Sequence, residues 1–452
     1  MGLQGCTLGC FCLSSLLLSS GVTFAAGPVF PNVRHVIHIS ADGLGGLFLS
    51  DYLAQAPDDV PTFRRLITEG STTLNARPDC DVSVTVPNHA SMLTGRPVLQ
   101  RTANKAPHGL TFNFDPGPFA TVHALGDQSD AYKSSVLDVA HDNGFTTAFF
   151  AGKEKFAFFL RSYDEENGAP DLVGKNNGRA KIDASAIVDW TDLGVYLEKS
   201  ADLVSLVVKH LDTATPGYTF LHLADPDVAG HYFGWGSENY RTAVRNVDRQ
   251  LARILAAIEA NPELRNRTAV IVTSDHGGGD VSGSHVYATD SKVFTIPFLV
   301  WSPGAVPAGR DLYELFSNRT EPGTQFVDYS ANRQPLHNGD SGNLALAMLG
   351  LPAIPGSSLI PELKPTISAT SAPTISVERP TISLERAGIG LVVSWPATST
   401  IPDLERSDLA SSVRWSKVTN GIVLVNGRYV YRETNSSSAP SQFFRLTQRV
   451  VR

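Results

Sequence analysis

Four short segments carry side chains that could do chemistry together. Asp42 stands in Ile39-Ser40-Ala41-Asp42-Gly43, where a tight turn would present a carboxylate, although Asp-Gly after an apolar run also makes an ordinary turn. In Ser83-Val84-Thr85-Val86-Pro87-Asn88-His89, Pro87 suits the first turn of a helix that runs to Leu93 and is closed by Thr94-Gly95. A hydroxyl at the head of that helix lies at the positive end of its dipole, which favours a developing alkoxide or a bound phosphate; the plainer reading of Thr85 is an N-cap. Asp227 and His231 are four apart in Ala224-Asp225-Pro226-Asp227-Val228-Ala229-Gly230-His231. Asp275 and His276 are adjacent in Thr273-Ser274-Asp275-His276-Gly277-Gly278-Gly279-Asp280, with His285 a short loop later. Oxygen and imidazole donors without a thiolate suit Zn2+, Mn2+ or a similar divalent ion, and there are enough of them for two. Two ions roughly 4 Å apart would clamp the attacking and leaving oxygens of a phosphoryl transfer.

The elements that must position these groups are short apolar runs, each ending in a polar cluster: Val36 to Ser40, Thr146 to Ala151, Tyr218 to Leu223, Thr268 to Thr273 and Ile296 to Trp301. They read as buried strands. Between them lie helical patterns, clearest from Glu238 to Ala260, where Tyr240, Val244, Val247, Leu251, Ile254, Leu255 and Ile258 recur at three- and four-residue spacing before Asn261-Pro262. The alternation predicts an α/β fold, a mostly parallel sheet sandwiched by helices, with ligands outside the carboxyl ends of the strands. Asp42, Asp227 and Asp275 all follow such ends.

The chain has 452 residues, enough for one large α/β domain and something smaller, and its net charge of -7 gives no reason to expect a nucleic-acid polymer as partner. Residues 1–27 are expected to be a secretory signal cleaved near Ala26, its apolar run Phe11 to Leu18 being too short to span a membrane, so no span would remain and the protein would be secreted or periplasmic. Three of the four cysteines lie in that leader, which leaves Cys80 alone and excludes an intrachain disulfide framework in the mature chain. A large domain is expected over 28–355. Residues 356–386 read as a linker, with Pro-Thr-Ile-Ser at 365, 373 and 380. Residues 387–452 read as a small all-β domain with strands at Gly390 to Trp395, Val413 to Val418, Ile422 to Val425, Arg428 to Tyr431 and Gln442 to Leu446, and a type I′ turn at Asn426-Gly427. It contains no His, no Cys and no clustered carboxylates, so no catalytic role is assigned to it.

The chain resembles the alkaline phosphatase superfamily and, within it, the type I phosphodiesterase/nucleotide pyrophosphatase family, over about residues 33 to 352. The resemblance rests on Ala41-Asp42-Gly43, Thr85-Val86-Pro87-Asn88-His89 with Thr94-Gly95-Arg96, His108-Gly109-Leu110-Thr111-Phe112-Asn113, Pro226-Asp227-Val228-Ala229-Gly230-His231, and Ser274-Asp275-His276-Gly277, in the family's order. It implies an alkaline phosphatase-like sheet and two metal ions, with zinc the expected metal. Asp227, His231 and His285 would hold one, and Asp42, Asp275 and His276 the other. It implies that Thr85 is the nucleophile of a double displacement and bridges toward the second metal, and that Asn113 donates its amide to a phosphoryl oxygen. The implied substrate is a small phosphate diester or nucleotide.

Several residues near these blocks are read otherwise. His337 competes with His285 as the third imidazole; His89 is expected to be packed inside its helix; Asp225 and Asp280 are read as surface or supporting groups. The lysines of Gly152-Lys153-Glu154-Lys155-Phe156, a motif that follows a strand, are read as solvated surface groups, one of which could instead meet a substrate carboxylate or phosphate, and Phe114 and Tyr232 as rings that could stack on a leaving group. A sulfatase would need Cys or Ser where Thr85 stands and Arg where His89 stands. A phosphate monoesterase or a phosphonoacetate hydrolase-like enzyme would share the same ligands and nucleophile. The non-enzyme alternative is a metal-binding or surface-binding module, which would require a site residue to be missing.

Overall fold

The computed structural model describes residues 30, 32–171, 178–190, 192–279 and 284–364, and in the C-terminal part 383–387, 390–396, 403–407, 416–418, 420–425, 428–433 and 443–447. The leader expected at 1–27 and Asp280 lie outside the described residues. The chain divides into two compact units, Met1–Ser368 and Ala369–Arg452. Among the described residues no helix is long and apolar enough to cross a membrane.

The strands of the large unit are β1 (His35–Ala41), β2 (Ser71–Ala76), β3 (Thr147–Ala151), β4 (Ala184–Ile187), β5 (Tyr218–Leu223), β6 (Thr268–Thr273), β7 (Ile296–Trp301) and β8 (Arg310–Asp311). They form one sheet in the order β4-β3-β5-β1-β6-β7-β2-β8. The pairings among β4, β3, β5, β1 and β6 are parallel, and β7 runs against both its neighbours, so the sheet is mostly parallel. The helices are α1 (Gly46–Gln55), α2 (Pro61–Glu69), α3 (Thr85–Thr94), α4 (Val122–Leu125), α5 (Val136–Asp142), α6 (Ala157–Ser162), α7 (Tyr196–Ala214), α8 (Asp225–Phe233), α9 (Glu238–Ala260), α10 (Ser291–Phe294) and α11 (Ser341–Met348).

The central strands are apolar throughout because both faces are covered. Successive side chains point to opposite faces, and each face has its own core. Phe149, Phe220, Ile271 and Phe298 pack with α3, α5, α6 and α11. Phe150, Leu221, Val272 and Leu299 pack with α1, α2, α7 and α9. The register levels the strand ends: Ala41 is opposite Leu223, Ser40 opposite Thr273, and Ala151 opposite His222. Whatever follows these four strands therefore converges at one edge of the sheet.

Strands β2, β4 and β8 were not expected. Ser71–Ala76 and Ala184–Ile187 carry polar or small residues that do not show a buried-strand pattern, and they add near or at the margins of the sheet. The stretch read as the start of a linker, 356–364, packs onto the large unit: Ser358 and Leu359 donate to the Gly95 carbonyl, and Lys364 donates to that of Leu315.

In the second unit, β9 (Ser383–Ala387), β10 (Gly390–Pro396), β13 (Ile422–Val425) and β14 (Arg428–Glu433) form one antiparallel sheet. A three-stranded sheet contains β11 (Asp403–Ser407), β12 (Ser416–Lys417) and β15 (Phe443–Thr447). Val393, Trp395, Leu404 and Tyr431 form their core. Strand β9 falls in the stretch read as linker, β11 was missed, and of the strand expected at Val413 to Val418 only 416–418 are described, with β12 at Ser416–Lys417. Asn426-Gly427 lies outside the described residues, although Val425 pairs with Arg428 across it.

Ile254 on α9 is fully buried in the core on its face of the sheet. Ile254→Ala is expected to destabilise the large unit by about 2–5 kcal/mol, the transfer and cavity cost of a well-packed isoleucine, read by denaturant unfolding. A loss below about 1 kcal/mol would mean that α9 is not tightly packed there.

Candidate active site

The turn after β1 presents Asp42 and is built for close approach. Gly43 has φ +73, and a Cβ there would lie 2.8 Å from Asp227 Cα, so a side chain at 43 would push α8 away. Asp227 N donates to the Asp42 carbonyl at 2.9 Å, and Gly43 N donates to Asp275 Oδ1 at 3.0 Å. The turns after β1, β5 and β6 are thus laced together, the first two through backbone groups and the first and last through the Asp275 carboxylate.

Two groups of side chains within the described residues converge here, each able to hold a metal ion: Asp227, His231 and His285, and Asp42, Asp275 and His276. Asp227 Oδ1 lies 3.3 Å from His231 Nε2 and 3.7 Å from His285 Nε2. His276 Nε2 lies 3.2 Å from Asp275 Oδ2, 3.6 Å from Asp42 Oδ1 and 4.0 Å from Asp227 Oδ1, which puts it between the groups. The far ring nitrogens are tied to backbone carbonyls, His276 Nδ1 to Gly277 at 2.8 Å and His285 Nδ1 to Ser83 at 2.7 Å. That arrangement leaves each Nε2 lone pair aimed inward, the tautomer a metal ligand needs. Burial lowers the His276 pKa to about 3 and lowers that of His285, so both rings are neutral.

Among the described residues, five buried side-chain atoms without hydrogen-bond partners fall in the same place. Asp42 Oδ1, Asp227 Oδ1, Asp275 Oδ2, His276 Nε2 and Thr85 Oγ1 are buried and make no well-formed hydrogen bond. Buried polar atoms are rarely left so, and carboxylate oxygens facing imidazole lone pairs are the donor set of a divalent cation. The residues therefore fit such an ion. Burial and repulsion from Asp42 and Asp227 push the Asp275 carboxyl well above its usual range, which is the charge conflict a cation would relieve.

Thr85 is the first residue of α3, not its cap; the cap position is Val84, which makes no side-chain bond. The helix is wholly buried and closes on Gly95 at φ 63. Asn113 Oδ1 accepts from Val86 N at 3.1 Å and from Lys155 Nζ at 2.9 Å, which turns the amide nitrogen away from both. Burial, then the neighbouring Lys153, lowers the Lys155 pKa to about 8. A cavity of about 520 Å³ opens from Asp227 and His231 past Lys153, Lys155 and Asn113 to Phe114, Asp115, Glu154, Asp189 and Trp190.

Lys153 is a correction to the sequence reading. It is only 8% exposed, and its Nζ lies 2.6 Å from both Asp42 Oδ2 and Asp227 Oδ2. Burial alone would depress it, but the Asp227 and Asp42 carboxylates hold its ammonium well above the ordinary lysine range. His222 was missed altogether: its Nδ1 accepts from Gly152 N at 3.2 Å, so Nε2 donates to Asp42 Oδ2 at 2.8 Å. A histidine inside an apolar strand gives no sign of that role; Lys153, directly after β3, does stand at a strand end.

The remaining candidates belong to neither group. His337 contacts the Pro78 carbonyl and Gln334, away from the two groups. His89 is packed between the Thr85 carbonyl and Ser40 Oγ, as expected. Asp225 is fully buried on Ser200 and Asn246, not at the surface. Tyr232 is exposed and packs edge-on against Trp190, and Phe114 is exposed at the cavity. Cys80 is a buried free thiol.

Among curated proteins, the chain is 25% identical over 343 residues to N-acetylgalactosamine-6-sulfatase of Canis lupus familiaris, covering 67% of this chain and 63% of that one. It is 25% identical over 239 residues to ectonucleotide pyrophosphatase/phosphodiesterase family member 1 of Homo sapiens, covering 51% and 22%. The chain thus spans less than two thirds of the length of either relative. A solved structure of a protein in the alkaline phosphatase superfamily from Vibrio parahaemolyticus is similar at a TM-score of 0.46 and 14% identity, over 81% of this chain and 76% of that one. The family model described as type I phosphodiesterase / nucleotide pyrophosphatase matches residues 36–295, more than half of the 452, and the chain belongs to that family.

Proposed function

We propose that the large unit is a secreted or periplasmic hydrolase of phosphate diesters or pyrophosphates, small nucleotides among them, working through Thr85 and two divalent ions, with zinc the favoured metal. One observation carries the reading: five buried atoms without hydrogen-bond partners, one hydroxyl, three carboxylate oxygens and one imidazole nitrogen, are gathered at one place from four segments. Asp227, His231 and His285 would hold one ion, and Asp42, Asp275 and His276 the other. Zinc suits a mixed carboxylate and imidazole set. When bound, the ions would lower the pKa of the attacking hydroxyl and offset charge on the leaving oxygen.

The chain's own residues supply the rest. Thr85, at the head of α3, presents its oxygen to phosphorus at the positive end of the helix dipole, accepts the phosphoryl group and passes it to water. Asn113, its oxygen already engaged by Val86 N and Lys155, has its amide nitrogen left to donate to a non-bridging phosphoryl oxygen. The exposed rings of Phe114 and Tyr232 flank the outer cavity where a leaving group would rest.

A second reading has its own support. Lys155 lines the cavity and donates to Asn113, so a dianionic phosphate monoester would also meet positive charge. Thr85 stands where a sulfatase would carry Cys or Ser, which argues against sulfate esters despite the sulfatase relative.

Hydrolysis of three nitrophenyl esters by the metal-loaded protein separates these readings. A dominant diester rate, falling at least about a thousandfold in Thr85→Ala with fold and metal content retained, is expected. A dominant monoester rate moves the protein to the second reading, a dominant sulfate rate refutes both, and a Thr85→Ala variant with full activity refutes the nucleophile.

His276→Ala, which removes the nitrogen between the two groups, is expected to lose bound metal as well as rate. Unchanged stoichiometry by elemental analysis contradicts the ligand set.

With its pKa near 8, Lys155 loses its charge as pH rises through that value. Its donation to Asn113 and its attraction for an anionic substrate weaken together. The value of kcat/KM is therefore expected to fall on the alkaline side of about pH 8. Lys155→Met should be lower by roughly tenfold below that pH and lack this limb; an unaltered limb removes Lys155 from substrate binding.

A further inference from the structure

We propose that Lys153 is a positioning residue that makes Asp42 and Asp227 one-oxygen ligands, by holding the outer oxygen of each, and so joins the two cation positions into one unit. The inference rests on the two-ion reading of the same site.

Each of these carboxylates is divided between two tasks. The Oδ2 atoms of Asp42 and Asp227 both receive Lys153 Nζ at 2.6 Å, and Asp42 Oδ2 also receives His222 Nε2 at 2.8 Å. The Oδ1 atoms have no such partner and face the imidazoles, Asp42 Oδ1 toward His276 and Asp227 Oδ1 toward His231 and His285. A carboxylate with both oxygens open can wrap one ion through both. With one oxygen held by a buried ammonium it can offer only the other.

The lysine is held as firmly as it holds. It leaves the end of β3, whose register with β5 is continuous to Ala151 opposite His222, so its origin is set by the sheet. Its ammonium is out of water, where an unpaired charge would be costly, and two carboxylates compensate it. Because one ammonium bridges the two carboxylates, a shift of one ligand is passed to the other. Asp275 shows the same division by other means: its Oδ1 accepts from Gly43 N and His276 N, each at 3.0 Å, while Oδ2 faces inward. All three carboxylates are therefore restrained to one inward oxygen, two of them by Lys153.

The first test uses the unaltered protein. Infrared difference spectra on loading with zinc should show a wide separation of the antisymmetric and symmetric carboxylate stretches, the mark of one-oxygen ligation; a narrow separation overturns the proposal. The second uses cobalt in place of zinc. Lys153→Met should change the visible bands, losing most of their intensity as the released oxygens raise the coordination number, and Lys153→Arg should restore part of it.

Wild-type cobalt bands and metal stoichiometry in Lys153→Met, with only KM raised, would overturn the proposal and leave Lys153 as a substrate-binding group. If Lys153→Met does not fold, Lys153→Gln, which keeps a donor but not the charge, and the infrared measurement decide it. Failure of the unaltered protein to bind zinc or cobalt would instead refute the two-ion reading itself.

Discussion

Three carboxylates, Asp42, Asp227 and Asp275, are gathered out of water at one edge of a sheet, with the ammonium of Lys153 between two of them. Like charges so close and so buried oppose folding unless positive charge meets them. The surrounding architecture can be read as an answer to that constraint. Parallel strands deliver the groups in register, backbone N–H groups and His222 take the outward-facing oxygens, and neutral imidazoles face the inward ones. The carboxylates are stabilised as anions on one side while the other side is left open to a cation.

Precision in that arrangement comes from backbone as much as from side chains. The close passage of Gly43 against α8 sets the separation between the segments carrying Asp42 and Asp227. Asn338 donates to Asn88 on α3 at 3.0 Å and to the carbonyls of Ser274 and Asp275 at 3.3 and 3.2 Å, so the helix carrying Thr85 is tied to the loop carrying His276. Ser83 receives His285 on its carbonyl just ahead of that helix. The segment bearing the hydroxyl and those bearing the candidate metal donors therefore move as one body, as a reaction that depends on in-line geometry requires.

The cavity beyond this body is mixed in character. Lys153, Lys155 and Asn113 line it together with Phe114, Trp190, Asp115, Glu154 and Asp189. Family membership covers residues 36–295 and leaves the second unit without an assigned role.

Much of this was legible from the chain. Five central strands and the long helix Glu238–Ala260 could be read because buried elements in a covered sheet are nearly all apolar, and α9 repeats its apolar residues at helical spacing. The acidic and imidazole candidates could be read because they stand just beyond strand ends, and turns rich in glycine announce themselves. Strands β2, β4 and β9 could not, since their pairing depends on neighbours far along the chain and not on their own composition. Lys153 and His222 show the same limit at the site. A lysine after a strand reads as solvated, and a histidine within one reads as core; only the meeting of β1, β3, β5 and α8 makes them partners of Asp42 and Asp227. Local sequence determined which groups could act and on which elements they ride. Tertiary structure decided which oxygen of each carboxylate is held and which is left open, because that choice depends on contacts between residues 74 to 232 positions apart.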